Sequence, residues 1–196
     1  MPKSEQIMTS ALSLFVEQGL HGTTMQMIAH RSGVSIGSLY RYFPNKEGLI
    51  RSLYRLSIQK QAAILLTDVD TGRISFQTYR QLWLNAFNGL LLHRPVMLFK
   101  ELYQRSPFFT KDDYLWTQQQ MAQLEHFFAL GKEQGFFREL PCYLLGALSL
   151  ASVKCVMDAN PFNELIFTEQ IIEQMVEASW QSILVCHEKS QLTVGA

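Results

Sequence analysis

The stretch Thr23 to Lys46, TTMQMIAHRSGVSIGSLYRYFPNK, constrains the fold more than any other. Thr23-x-x-Gln26 has the spacing of a capping box, in which a hydroxyl and a residue three positions on satisfy orphan N–H groups at a helix start. Thr24 is the alternative cap. Ile28 and Ala29 give this short helix an inward face, Gly33 makes a turn, and Ser35 caps a second short helix. Pro44-Asn45 closes that helix, and Asn45 caps the next. Two short helices joined by so tight a turn must cross and share one apolar face. Ile28, Ala29, Val34 and Leu39 supply that face.

Helical spacing continues on both sides, and no segment sustains the alternation of a half-buried strand. Ile7, Ala11, Leu14 and Phe15 form one stripe, with Gly19 as the stop. A helix opening at Asn45 runs through Leu49, Ile50, Leu53, Leu56 and Ile64 to about Leu66. Asp68–Gly72 is a loop. A helix from about Ser75 to Leu92 ends at His93-Arg94-Pro95, and a shorter one covers Val96 to about Gln104. Thr110-x-x-Asp113 signals a helix start, with a stop at Gly135. Pro141 suits the first turn of a helix reaching about Asp158, and Asn160-Pro161 breaks the chain. Thr168 caps a last helix to about Cys186, followed by a frayed tail. The expectation is an all-α chain of about nine helices. A helix-turn-helix domain covers residues 1–48, and a larger helical domain covers residues 49–196.

Hydrophobic residues make up 47% of the chain and charged ones 17%, the balance of a packed globular protein rather than a disordered one. The formal net charge is zero but unevenly placed. Residues 1–60 hold seven Lys or Arg against three acids, and the remainder holds ten against fourteen. A basic end of this kind suits a polyanion. Cys142, Cys155 and Cys186 lie too far apart for a zinc site or a disulfide framework, so they read as buried thiols. The N-terminus lacks a basic segment followed by an apolar core, and the apolar run Leu144–Val153 is stopped by Lys154 before it could span a bilayer. A soluble, cytoplasmic protein with no membrane association is expected.

The second short helix has the composition of a major-groove reader. Ser35, Ile36, Gly37 and Ser38 are small or slim and let the backbone come close to a groove. Tyr40 and Tyr42 carry hydroxyls suited to phosphates, and Lys46 adds a positive charge. Thr24, Gln26 and Arg41 complete the candidate DNA-contacting set, since Gln can pair with adenine.

These residues resemble the N-terminal domain of TetR-family transcriptional regulators. The match runs through Thr23-Thr24, Ile28-Ala29, Gly33-Val34-Ser35, Leu39-Tyr40-Arg41-Tyr42-Phe43 and Asn45-Lys46-Glu47-Gly48-Leu49, over about residues 7–53. Gly48 departs from the pattern and weakens a first helical turn. The resemblance implies a homodimeric repressor, released from a palindromic double-stranded DNA operator when a small hydrophobic effector binds its C-terminal domain. The helix opening at Asn45 would transmit the signal, with Leu53, Leu56 and Ile64 as coupling contacts. It also implies dimerisation through the last two long helices, where Leu144, Leu148 and Ala151 lie on one stripe and Ile172, Met175, Val176, Ser179 and Ile183 on another. Either stripe could equally face its own core.

Candidate pocket residues are Trp83, Phe87, Phe99, Tyr103, Trp116, His126 and Lys154, in a segment rich in aromatics that reads equally well as core. His126 reads as a core histidine before a ligand donor, and Lys154 as a snorkelling surface lysine. No metal-ligand spacing, phosphate loop or nucleophile elbow is present, so neither an enzyme nor a cofactor is expected. The competing readings are an activator or effector-independent regulator of the same family, and a helical ligand-binding or interaction protein that has lost DNA binding.

Overall fold

The computed structural model describes residues 2–159 and 166–185. Within them are ten α-helices: α1 (Lys3–Gly22), α2 (Met25–Ser32), α3 (Ile36–Tyr42), α4 (Lys46–Leu65), α5 (Phe76–Leu92), α6 (Arg94–Gln104), α7 (Lys111–Gln120), α8 (Ala122–Glu133), α9 (Cys142–Ala159) and α10 (Glu169–Ile183). One isolated antiparallel bridge, Phe137 with Leu184, is the only extended pairing among the described residues. The Asn160-Pro161 break, Cys186 and the tail lie outside them.

The chain divides into two compact units, Met1–Thr67 with Phe87–Ala122, and Asp68–Ala86 with Gln123–Ala196. In the first unit α1 packs on α2 and α6, and α4 packs on α6 and α7. The expected stripe Ile7, Ala11, Leu14 and Phe15 is buried, together with Ile28, Leu39, Leu49, Ile50, Leu53 and Tyr54. Aromatic rings from distant helices close this core. Phe15 stacks on Phe99 at 5.8 Å, Tyr54 tilts against Tyr103 at 4.8 Å, and Tyr103 meets Phe109 edge-on at 5.6 Å. Such pairs add to the burial of the rings themselves.

In the second unit α9 packs on α10. Trp180 is the centre of an aromatic cluster, with ring centroids 4.8 Å from Tyr79, 5.4 Å from Phe137 and 6.0 Å from Phe76. A buried polar chain satisfies its own groups. Tyr79 and Ser179 share a 2.6 Å hydrogen bond, and Ser179 donates to the Ser149 carbonyl at 2.6 Å. Arg80 holds Glu173 through a forked ion pair. A Cβ at Gly131 would fall inside the van der Waals envelope of the Phe137 ring, so only glycine fits there.

Three local expectations are revised. The helix read from Thr110 to Gln134 is two helices, α7 and α8, meeting at Met121. No glycine or proline marks this junction, which falls at the end of the first unit. Thr24, not Thr23, caps α2, because the Thr23 hydroxyl is buried and donates to the carbonyls of Leu14 and Gly19. The thiols are not all buried: Cys142 is half-buried and Cys155 is exposed.

Candidate nucleic-acid interface

Each turn of the helix-turn-helix is closed by a named residue. Thr24 Oγ1 accepts the Met27 N–H at 3.2 Å and starts α2. Gly33 ends it in the left-handed region, at φ 67°, where the Val34 N–H reaches back to the Ala29 carbonyl at 3.1 Å. Glycine takes this conformation without the Cβ penalty other residues carry. Ser35 Oγ accepts the Ser38 N–H at 3.2 Å and starts α3 three residues after the turn begins. Asn45 Oδ1 accepts the Gly48 N–H at 2.7 Å and starts α4. A Cβ at Gly48 would stand 3.1 Å from that same oxygen, a tight contact that the Asn45 side chain would have to ease.

The α3 helix is anchored by one side and free on the other. Leu39 is fully buried, whereas Ile36 is 40% exposed, Tyr40 47% and Tyr42 42%. Three large apolar side chains turned outward on a seven-residue helix are out of place on a surface that meets only water. Ser35, Gly37 and Arg41 are also exposed, and Ser38 is half-buried. A Cβ at Gly37 would meet nothing within 4 Å, so the fold does not require glycine there. Thr24, Gln26 and Tyr40 share an open concavity with Thr23, Met25, Pro44, Asn45 and Lys46. The arrangement places a helix N-terminus, hydroxyls and an amide side by side, which is the chemistry that holds phosphate oxygens and base edges.

Two cations are already engaged. Lys46 Nζ donates to the Leu20 carbonyl at 3.0 Å and the Thr23 carbonyl at 3.1 Å, so the ammonium ties the end of α1 to the start of α4. Arg31 grips Glu17 of α1 through two 2.9 Å hydrogen bonds and holds α2 against α1. Those donors, with Ser13, hold the Glu17 carboxyl well below its usual range, at about 2. Arg41 lies over the Tyr42 ring at 5.8 Å and points away from the core.

Residues 7–53 match the family described as bacterial regulatory proteins, tetR family, and residues 75–184 match the tetracyclin repressor-like C-terminal domain. The chain belongs to the TetR family. It is a helix-turn-helix transcriptional regulator, in a family of regulators rather than enzymes. It is similar to an uncharacterised HTH-type transcriptional regulator of Haemophilus influenzae, 26% identical over 92% of this chain and 95% of the relative. It is similar to an HTH-type transcriptional repressor of Mycobacterium tuberculosis, 26% identical over 68% of each chain. A solved TetR-family regulator of Vibrio parahaemolyticus superposes with a TM-score of 0.81 at 26% identity, covering 94% of this chain and all of the other. Among the described residues, no helix of this TetR-family regulator is long and apolar enough to cross a membrane.

The aromatic residues expected around a pocket take several roles. Phe99 and Tyr103 are core of the first unit, Phe87 is buried, and half-buried Trp116 carries the Arg55 guanidinium at 5.5 Å. Trp83 is buried in the second unit, where its indole N–H donates to Ser152 at 3.0 Å. His126 is exposed rather than a core histidine, and Lys154 is exposed at the surface. Of the residues expected at a dimer face, Leu144, Leu148 and Ala151 are exposed on α9. Ile172 and Met175 are half-buried on α10, whereas Val176, Ser179 and Ile183 are buried within their own chain.

The burial of two polar residues in the core has no signal in the sequence. Asp113 has no exposed surface, and Lys100 is only 7% exposed. The spacing of Thr110 and Asp113 signals their capping box, which forms. Nothing in that spacing signals that Arg51 and Arg55 of α4 face the same carboxylate. Their i, i+4 separation on one helix face is the available clue.

Proposed function

We propose that this regulator is a homodimeric repressor that binds a palindromic operator through α3 and releases it when a small hydrophobic ligand binds the helical region beyond residue 48. The observation that carries the reading is the outward face of α3. Ile36, Tyr40 and Tyr42 are exposed around a glycine that the fold itself does not need. Ser35, Ile36, Gly37 and Ser38 approach the major groove, and Arg41 and Gln26 reach base edges or phosphates. Thr24, Tyr40, Tyr42 and Lys46 border the backbone, with Lys46 acting mainly by holding the joint. Paired copies present two α3 helices to successive major grooves, about 34–36 Å apart. The exposed α9 residues Leu144, Leu148 and Ala151 are the contact surface for the second copy. The repressor sense is supported by the similar repressor of M. tuberculosis.

One observation favours a second reading, a regulator of the same family that needs no small-molecule effector. Phe99, Tyr103 and Trp83 are packed as core, each at most 1% exposed. Ligand then changes nothing, because an effector shifts an equilibrium only by its difference in affinity for two states.

The test is a titration of the protein against its own upstream intergenic DNA and a scrambled duplex of equal length, at about 150 mM salt, where nonspecific phosphate binding is weak. Selective binding that disappears in Tyr42→Ala supports the reading. Equal, weak binding to both duplexes, followed by failure to enrich any site from a random pool, sinks it. A promoter whose output falls when the gene is deleted would instead mark an activator.

A further inference from the structure

A buried carboxylate joins α4 to the corner between α6 and α7. Asp113 Oδ2 accepts the Tyr103 hydroxyl of α6 at 2.9 Å, the Thr110 hydroxyl at 2.7 Å and the Thr110 N–H at 3.3 Å. Oδ1 is equally buried and accepts nothing. Arg51 Nε and Arg55 Nη2, both on α4, stand 3.5 Å from it, too far for a formed charge-assisted bond. Arg55 Nε is also buried without an acceptor. Beside this cluster Tyr54 shares a 2.9 Å hydrogen bond with Thr117 of α7 and accepts one from Gln104 of α6 at 3.1 Å.

This is more than a cap needs. Capping α7 uses one oxygen, works in water and is worth about 1 kcal/mol. A carboxylate moved fully out of water costs more than that unless charge compensates it. Tyr103 and Thr110 satisfy one oxygen by hydrogen bonds, and the opposite charge comes from α4, through two arginines one turn apart. The same helix begins at Lys46, whose ammonium holds the carbonyls of Leu20 and Thr23. Arg51 lies little more than one turn from that anchor, on a single unbroken helix of about 30 Å. A displacement at the arginines therefore reaches the start of α2 through rigid backbone.

We infer that Asp113 is a positioning residue for DNA binding: its unfilled oxygen, set between Arg51 and Arg55, fixes the pose in which α4 presents the helix-turn-helix. Closing either pair to hydrogen-bond length draws α4 toward α7. Losing both frees α4 from the α6–α7 corner while the capping oxygen stays in place. The inference rests on the DNA-binding reading above and names residues through which that activity is controlled. It locates control in a polar junction, in place of the apolar contacts Leu53, Leu56 and Ile64.

The experiment compares the wild type with Asp113→Asn, which keeps an oxygen for the cap and removes the charge. Arg55→Gln, at a side chain 40% exposed, is the second variant, and the double variant completes the cycle. Hydrogen exchange on the DNA-free protein is read over residues 20–48, and operator affinity is read in parallel. Asp113→Asn and Arg55→Gln should each speed exchange from Leu20 to Lys46 and weaken operator binding about tenfold, with the double variant no worse than either. Exchange changes confined to residues 51–55 and 103–117, with operator affinity within about twofold of wild type, would overturn the inference. So would additive effects in the double variant. If wild type binds no operator, the regulator reading fails by itself, and the exchange pattern still decides whether Asp113 controls the N-terminal helices.

Discussion

At the scale of single residues, the α3 surface and two engaged lysines lead to separate expectations. Gly37 has open space where a Cβ would stand. Gly37→Leu should leave melting unchanged or raise it slightly, since glycine costs a helix about 0.5–1 kcal/mol relative to alanine. Operator binding should nonetheless fall by more than about a hundredfold, because the side chain occupies the approach to the groove. A gel-shift titration beside a thermal melt separates the two effects. Lys46→Met should lose both carbonyl bonds and destabilise the protein by about 1–3 kcal/mol in urea unfolding. Lys100 behaves in the opposite way. Its amine is buried against Gln61 and the Met97 sulfur, both neutral, and burial pulls its pKa down to about 8. The folded state therefore resists holding that proton, while the unfolded state keeps it up to about pH 10.5. Stability should rise from about pH 8 to 10.5 and stay level, as far as this group is concerned, below pH 8. Lys100→Met should abolish that rise and gain about 1–3 kcal/mol at pH 7. A pH series of chemical denaturations checks both.

Helices were legible where local chemistry decides them. The caps Thr24, Ser35, Asn45, Thr110 and Thr168 all accept the N–H three residues on, a relation contained within four residues of sequence. The stripe on α1 was legible because a 3.6-residue period shows which side is apolar. What a helix meets was not legible. The split at Met121 carries no breaker residue, and the burial of Asp113 is created by α4 and α6, whose approach no local pattern encodes. The α10 stripe shows the same limit, since periodicity reveals an apolar face without saying whether it meets its own chain. For the candidate DNA surface, small residues and outward tyrosines were readable, but the carbonyl partners of Lys46 were not. Gly131 supplies a test at this scale. Gly131→Ala should force the Phe137 ring to move and destabilise the second unit by about 1–3 kcal/mol, visible as a lower melting temperature. Pairing the substitution with Phe137→Leu should recover part of the loss.

For the molecule as a whole, the exposed α9 face is the proposed contact between two copies. Leu148 is 43% exposed and Tyr143 70% on a helix otherwise rich in apolar residues. Leu148→Asp should convert a proposed dimer to monomer at micromolar concentration in sedimentation velocity. Operator affinity should fall with it, because one α3 alone reads only half a site. A sedimenting dimer in that variant would place the contact elsewhere. The path of the chain also governs how the molecule is made. The chain leaves the first unit at Thr67, returns at Phe87 and leaves again at Ala122. The helix-turn-helix is synthesised before Phe99 and Tyr103, which finish the core it shares with them. Until α6 has been synthesised, Phe15 lacks the Phe99 ring and Tyr54 the Tyr103 ring, and until α7 follows, Arg51 and Arg55 lack their carboxylate. The core beneath the helix-turn-helix is therefore closed by residues made well after it, and its final packing is a late event of synthesis.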